Sequence, residues 1–201
     1  MKTDSAERDS DQSSVSSEDS WIFKFVSAKE NRCLARLQDS FLQDKFNYYG
    51  IKEKLSSFDE SYLAIVDKAG STDAEAEAML YYLIHQRYIM TKPGLEDIMG
   101  KVLNRDFGTC YRIGCRDVPF IPIGVSNELK KSKTKLYCYN CGNLYEPRSS
   151  IKRLDGAAWG TSFAHLLIMM YPYHFEKIKT EPYVPRIFGF QIAEPEDCDS
   201  S

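Results

Sequence analysis

Four cysteines are the residues with the clearest chemistry to offer. Cys110 and Cys115 bracket "CYRIGC", and Cys138 and Cys141 bracket "CYNC". The first pair encloses four residues, the second encloses two, and 22 residues (116–137) lie between the pairs. Thiolates at such separations fold back onto a single ion. Four soft donors complete a tetrahedral zinc shell and leave no position for a reactive water. The spacing therefore predicts one structural Zn2+ per chain, contributing folding free energy to a small sheet that buries little core of its own. Four ordinary buried thiols, or another metal, are the competing readings. Gly114 is expected to relax the first knuckle, and Gly142 to let the chain reverse after the last ligand. Cys198 sits in an acidic run and reads as a bystander.

No second constellation suggests catalysis. The three histidines, His85, His165 and His174, are far apart in sequence. His85 in "YLIHQRY" reads as a helix position of structural type. Zinc-protease, nucleophile-elbow and phosphate-loop patterns are absent. "RDFG" (Arg105–Gly108) resembles a kinase motif but lacks the upstream lysine, glycine loop and catalytic loop that a kinase needs. Asp155 and Gly156 in "RLDGAAWG" are first a turn signal. The expected answer is not an enzyme.

Two non-enzymatic classes remain. "KKSKTK" supplies Lys130, Lys131, Lys133 and Lys135, and Arg148, Lys152 and Arg153 follow the second knuckle. With Tyr137 and Tyr139 interleaved, this basic run is a candidate polyanion or nucleic-acid patch. The formal net charge of -3 favours a solvated basic face instead, so nucleic acid is not the expected partner. The alternative is a protein-interaction module, because Ile113, Leu144 and Tyr145 give a small ribbon more apolar surface than it can cover alone.

These residues require elements to hold them. Residues 1–20 are Ser/Asp/Glu-rich without apolar pattern and are expected to be a disordered tail, with Ser16 and Ser17 ahead of Glu18 and Asp19 as candidate phosphoacceptors. Residues 21–104 read as a helical domain. Leu34, Leu37 and Phe41 recur at helical spacing, "DSFLQDKFNYYG" reads as a short helix, and Leu55, Phe58, Tyr62, Ile65 and Val66 share a face up to Gly70. Thr72 and Glu75 offer a capping box to the clearest helix, "TDAEAEAMLYYLIHQRYIMT". Pro93 and Gly94 break that run before a further stripe at Leu95, Ile98, Val102 and Leu103. Residues 105–178 read as the ribbon, with strands in "VPFIPIG", "TKLYCY" and "NLYEP". "AHLLIMMY" is a buried strand or helix segment, too short to span a membrane. The fold class is α+β, ending in an extended segment at 179–201. Six cysteines used this way, and a start without an apolar leader, fit a reducing intracellular compartment.

The series "SWI", "QDKFN", "MLYYLIHQRYIMTKPGL", "DFGTC", "PIGVS", "KLYCYNCGNLYEPRSS", "DGAAWGTSF" and "PRIFGFQI" resembles the regulatory beta subunit of casein kinase 2 from Ser20 to Ile192. The resemblance implies a homodimer through the ribbons, with Tyr111, Ile113, Leu144 and Tyr145 at the two-fold contact. It implies that the dimer docks two catalytic kinase subunits into a heterotetramer through Arg186, Ile187, Phe188, Gly189, Phe190, Gln191 and Ile192. It further implies a non-catalytic subunit that stabilises the holoenzyme and modulates substrate choice in cytoplasm and nucleus. The chain departs from the family pattern where a dense acidic loop is reduced to "SSFDESYLAIVDKAGSTDAE" and a histidine cluster is replaced by "IKRL". Those departures suggest a divergent, tissue-restricted paralogue, able to pair with itself or with a related beta-type chain.

Overall fold

The structure is a computed structural model that describes residues 19–179 and 184–192. Ser16, Ser17 and Cys198 lie outside the described residues. Among the described residues six α-helices come in two blocks around three short strands, with a separate two-stranded hairpin at 186–191. The α+β class expected from the sequence is what the chain adopts.

Helix α1 (Trp21–Ser27) starts on Ser20, whose hydroxyl accepts from the Phe23 N–H. Trp21 stacks on Phe25 at 4.6 Å, and Phe25 leans on Tyr81 at 4.8 Å. The Trp21 indole N–H donates to Glu77 at 2.7 Å. That carboxylate is buried, yet it also accepts from Ser71 Oγ at 2.7 Å and Thr72 N–H at 2.9 Å. Burial opposes the Glu77 charge, but those donors outweigh it and hold the carboxyl below its ordinary range.

The helix suggested by Leu34, Leu37 and Phe41 does not form; the chain runs irregularly from Ala28 to Gln38. Its backbone is satisfied from elsewhere. The Ala35 N–H donates to His85 Nε2 at 2.9 Å, and the Ala35 carbonyl accepts from the Tyr81 hydroxyl at 2.7 Å. Leu34 and Leu37 are buried all the same. The "DSFLQDKFNYYG" helix is a single turn-and-a-half, α2 (Asp39–Gln43), followed by a 3-10 turn at Lys45–Tyr48. Helix α3 (Phe58–Ile65) ends well before Gly70, with Val66 as its cap and the chain turning left-handed at Asp67, φ 57°.

Helix α4 (Ala74–Tyr88) is the axis of the core. Its cap is Asp73, which accepts from the Glu75 and Ala76 N–H groups at 3.0 and 3.1 Å; Thr72 does not cap it. Leu80, Tyr81, Leu83, Ile84, His85 and Tyr88 are all buried, so α4 is covered on several sides. Helix α5 (Lys92–Leu103) carries Pro93 in its first turn, where a missing N–H costs nothing. Pro93 therefore starts the next helix as well as ending the last. Leu103, expected in the apolar stripe, is half exposed.

Strands β1 (Ile121–Ile123), β2 (Lys135–Tyr137) and β3 (Leu144–Tyr145) form an antiparallel sheet in that order. Pro122 faces Leu136, and Leu136 faces Tyr145. Around β2 the burial alternates: Thr134, Leu136 and Cys138 point in, and Lys133, Lys135 and Tyr137 point outward. "AHLLIMMY" resolves into helix α6 (Phe163–Met170), which buries Phe163, Ala164 and Leu167 but leaves Met169 and Met170 exposed. Among the described residues no helix is long and apolar enough to cross a membrane.

Trp159 and His85 join the helices to the ribbon. The Trp159 ring packs edge-on against His85 at 5.2 Å and Phe107 at 5.7 Å, and its N–H donates to Thr134 Oγ1 at 3.1 Å. "RDFG" thus contributes a core phenylalanine. Asp155 accepts from the Ala157 and Lys130 N–H groups, the turn role its Asp-Gly context indicated.

His85 is fully buried, and its Nδ1 lies 2.8 Å from the Ala158 carbonyl while Nε2 accepts from Ala35. This fixes the neutral tautomer with the proton on Nδ1. Burial lowers the His85 pKa from 6.5 to about 4. The unfolded chain gains a proton near pH 6.5 that the folded chain refuses until about 4. Stability is therefore full above pH 6.5 and is lost as pH falls across that window, by about 3 kcal/mol. Urea unfolding of wild type and His85→Gln at pH 7 and pH 4.5 should show the wild type losing that advantage. Parallel pH slopes for the two proteins would remove His85 as the cause.

Candidate metal centre and partner-facing surfaces

The first knuckle follows Phe107, where the Cys110 N–H pairs with the Val118 carbonyl at 2.8 Å and Phe120 pairs with Gly108 at 3.0 Å. A 3-10 turn over Ile113–Cys115 includes Gly114 with ordinary φ. The left-handed residues are instead Arg116 and Asp117, at φ 46° and 62°. In the second knuckle Gly142 has φ 72°, and its N–H reaches back to the Cys138 carbonyl at 2.8 Å. That is the reversal the sequence required there.

The two knuckles bring Cys110, Cys115, Cys138 and Cys141 together, with all four Sγ atoms within 4.8 Å of one another. The Cys110–Cys141 and Cys115–Cys138 sulfurs are each 3.9 Å apart. A tetrahedron with metal–sulfur bonds of about 2.3 Å has edges of about 3.8 Å, so the donor set fits one tetrahedral ion. The first three cysteines are buried and Cys141 is half-buried. Burial pushes the Cys138 thiol up. Burial opposes ionisation at Cys141 too, but hydrogen bonds led by the Tyr145 hydroxyl at 3.2 Å bring it down to about 6. Cys33 belongs to the helical core, where burial raises its thiol to about 12, and it stays outside the cluster.

A second layer of contacts had no signature in the sequence. Asn140 Nδ2 donates to Cys115 Sγ at 3.5 Å, while its carbonyl oxygen accepts from the Ile178 N–H at 2.8 Å. Tyr139 packs edge-on against Phe175 at 5.1 Å. The knuckle thereby holds the chain that leaves α6.

Beside the thiols, Tyr111 packs edge-on against Phe120 at 5.0 Å and Tyr145 at 5.6 Å. Arg148 places its guanidinium 4.0 Å above the Tyr111 ring. Ile113 is 88% exposed and Leu144 is 49% exposed, so the knuckles do display apolar side chains.

The basic run is divided. Lys130 pairs with Glu75 at 2.7 Å and Lys131 with Glu128 at 3.8 Å. Lys135 pairs with Glu146, and Arg153 with Glu30 at 2.6 Å. Lys133 and Lys152 have no carboxylate partner among the described residues. Tyr139 is buried, and the half-buried Tyr137 lies against His165 at 5.7 Å, so neither is free to stack on bases. His165 and His174 do not approach the thiols or each other as a ligand set.

The terminal hairpin is β4 (Arg186–Ile187) paired with β5 (Phe190–Gln191), Ile187 facing Phe190. Its two turn residues, Phe188 and Gly189, both have positive φ, 49° and 88°, the type I′ geometry of two-residue hairpins. Arg186 donates to the Gly189 carbonyl at 3.3 Å. Phe188 is 97% exposed and Phe190 80% exposed, with Ile187 and Ile192 also open.

Comparison with known proteins adds an independent line. Residues 20–191 match the family model described as casein kinase II regulatory subunit. The chain is 35% identical over 201 residues to casein kinase II subunit beta of Schizosaccharomyces pombe, covering 96% of this chain and 85% of that protein. It is 36% identical over 190 residues to a Suppressor-of-stellate-like protein of Drosophila melanogaster, covering 90% and 84%. Casein kinase II subunit beta' of Saccharomyces cerevisiae is 32% identical over 205 residues, covering 96% and 80%.

Proposed function

The chain belongs to the casein kinase II regulatory subunit family, and from that premise we propose that it is a non-catalytic subunit of an acid-directed serine/threonine kinase. In this reading Cys110, Cys115, Cys138 and Cys141 hold one structural zinc, which supplies no chemistry beyond fixing the ribbon. Two chains pair through their ribbons, or one pairs with a related beta-type chain. The dimer then carries two catalytic subunits, stabilises them and steers substrate choice, in cytoplasm and nucleus. Ser16 and Ser17 are the proposed phosphoacceptors.

The observation that carries this reading is the exposed hairpin at 186–191. A soluble chain gains nothing by presenting Phe188 and Phe190 to water, whereas aromatic anchors on a rigid turn are what a desolvated partner pocket takes up. Calorimetric titration of a catalytic casein kinase II subunit into the zinc-loaded chain should saturate at one catalytic subunit per chain. Absence of any binding heat or co-elution would reject the reading.

The dimer proposal rests on Tyr111, Ile113, Leu144 and Tyr145. In a two-fold contact one substitution enters twice. Leu144→Asp should therefore turn a dimer mass into a monomer mass in light scattering at micromolar concentration, with zinc content unchanged. A dimer mass for this variant would move the contact elsewhere, and a monomer mass for the wild type would remove the homodimer.

A further inference from the structure

The fold sorts the basic residues into two groups that the sequence presents as one. Lys130 and Lys131 are neutralised locally, by Glu75 and Glu128. Lys133, Lys135, Lys152 and Arg153 instead line one open groove, together with Val125, Ser132 and Glu146. The two stretches that carry the cations meet there because the backbone laces them. Lys133 bridges to Asp155 across an antiparallel pair, the Thr134 N–H donates to the Leu154 carbonyl at 3.0 Å, and the Gly156 N–H donates to the Ser132 carbonyl at 2.8 Å. Main-chain bonds therefore fix the floor of the groove from which Lys133 projects.

Its charge is specific. Lys135 and Arg153 are occupied by Glu146 and Glu30, which leaves Lys133 and Lys152 as two uncompensated ammonium groups among the described residues. Ser132 lines the same groove, and its hydroxyl is buried without a hydrogen-bond partner, alone in this among the described side-chain polar atoms. It packs against Gly156, where an added Cβ would lie 2.8 Å from it, so it belongs to the floor of the groove and is out of a ligand's reach. Two free cations match a phosphoryl dianion in charge.

We propose that this groove binds a single phosphoryl group, borne on a phosphorylated serine or threonine of a protein segment. A nucleic acid is the poorer match. Its repeated phosphates need a continuous basic track, and here Glu75, Glu128, Glu146 and Glu30 pair with Lys130, Lys131, Lys135 and Arg153 and interrupt the positive surface. The tyrosines that would stack on bases are committed to His165 and Phe175. The inference is independent of the zinc and docking proposals.

The test uses the full-length protein and four fluorescence-anisotropy or competition probes. They are a labelled peptide of residues 11–20 phosphorylated at Ser16, its unphosphorylated twin, inorganic phosphate as competitor, and a single-stranded oligonucleotide. The phosphopeptide should bind at least about tenfold tighter than its twin, and phosphate should displace it. Lys133→Ala with Lys152→Ala should abolish that preference. Lys130→Ala with Lys131→Ala, the same charge change outside the groove, should leave it intact. Equal binding of the two peptides overturns the proposal, even where phosphate itself binds. So does a preference that survives loss of Lys133 and Lys152 in a folded protein, or an oligonucleotide that outcompetes the phosphopeptide at physiological salt.

Discussion

Replacing Cys138 with serine should empty the metal site and unfold the ribbon. Elemental analysis of the wild type should give about one zinc per chain, falling to near zero in the variant. The size of the effect follows from the fold. The ribbon's sheet is two three-residue strands and one of two residues, so hydrogen bonding alone gives it little stability. Structural zinc contributes apparent binding free energies of about 10–16 kcal/mol, as large as the whole stability of a typical domain at about 5–15 kcal/mol. Without the proposed ion, four sulfurs within 4.8 Å of one another would lose the partner that holds them there. Trp159 reports the change, since its ring and N–H lie in the seam between His85, Phe107 and Thr134. Its fluorescence, read in a Trp21→Phe background, should shift red on chelation. Hydrogen exchange at Ile178 should accelerate as well, because Asn140 holds that amide at 2.8 Å while contacting Cys115. Cys33→Ala should keep its zinc. A metal-free chain with native Trp159 emission and a protected Ile178 would end the zinc-ribbon reading.

How much of this was legible in the sequence depended on how local the deciding interaction is. The thiol cluster was legible because two short pairs plus a reversing glycine close the shell with little help from the rest of the chain. The order α4, α5, β1, β2 and β3 was legible for the same reason: periodicity and turn residues act within a few positions. The stretch from Ala28 to Gln38 was not. Its leucines are spaced as on a helix, yet the backbone at Ala35 is claimed by His85 and Tyr81, some fifty residues away. The α4 cap moved from Thr72 to Asp73 because Glu77 takes the Thr72 N–H for its own buried carboxylate. The α6 run could be strand or helix, since a short apolar run has no period to distinguish them. Asn140 carried no signal, because an asparagine between two cysteines looks the same whether or not it meets Ile178. The lysine run concealed its division into paired and unpaired members, which only the positions of Glu75, Glu128, Glu146 and Glu30 reveal.

The Phe188→Ala, Phe190→Ala double variant should lose catalytic-subunit binding in the titration that gives saturation for the wild type. Aromatic anchors in a desolvated pocket are worth at least about 2 kcal/mol each, roughly thirtyfold in affinity, and about a thousandfold for the pair if the two are additive. The hairpin itself favours this assignment. Phe188 occupies the left-handed region at φ 49°, where a bulky side chain costs about 1–2 kcal/mol. Asparagine or glycine would relieve that cost, so a phenylalanine held there fully exposed points to a use outside the chain. Phe188→Asn separates the two effects. It eases the turn and keeps the Ile187–Phe190 pairing, yet removes the ring. Binding that weakens in Phe188→Asn shows the ring to be the anchor, while binding that persists makes turn geometry the determinant and leaves Phe190 as the contact. Arg186, which donates to the Gly189 carbonyl, is expected to act through the hairpin's shape, so Arg186→Lys should weaken binding less than either phenylalanine substitution. If the double variant binds as the wild type does, the kinase-subunit function can stand, but its docking site lies on another surface.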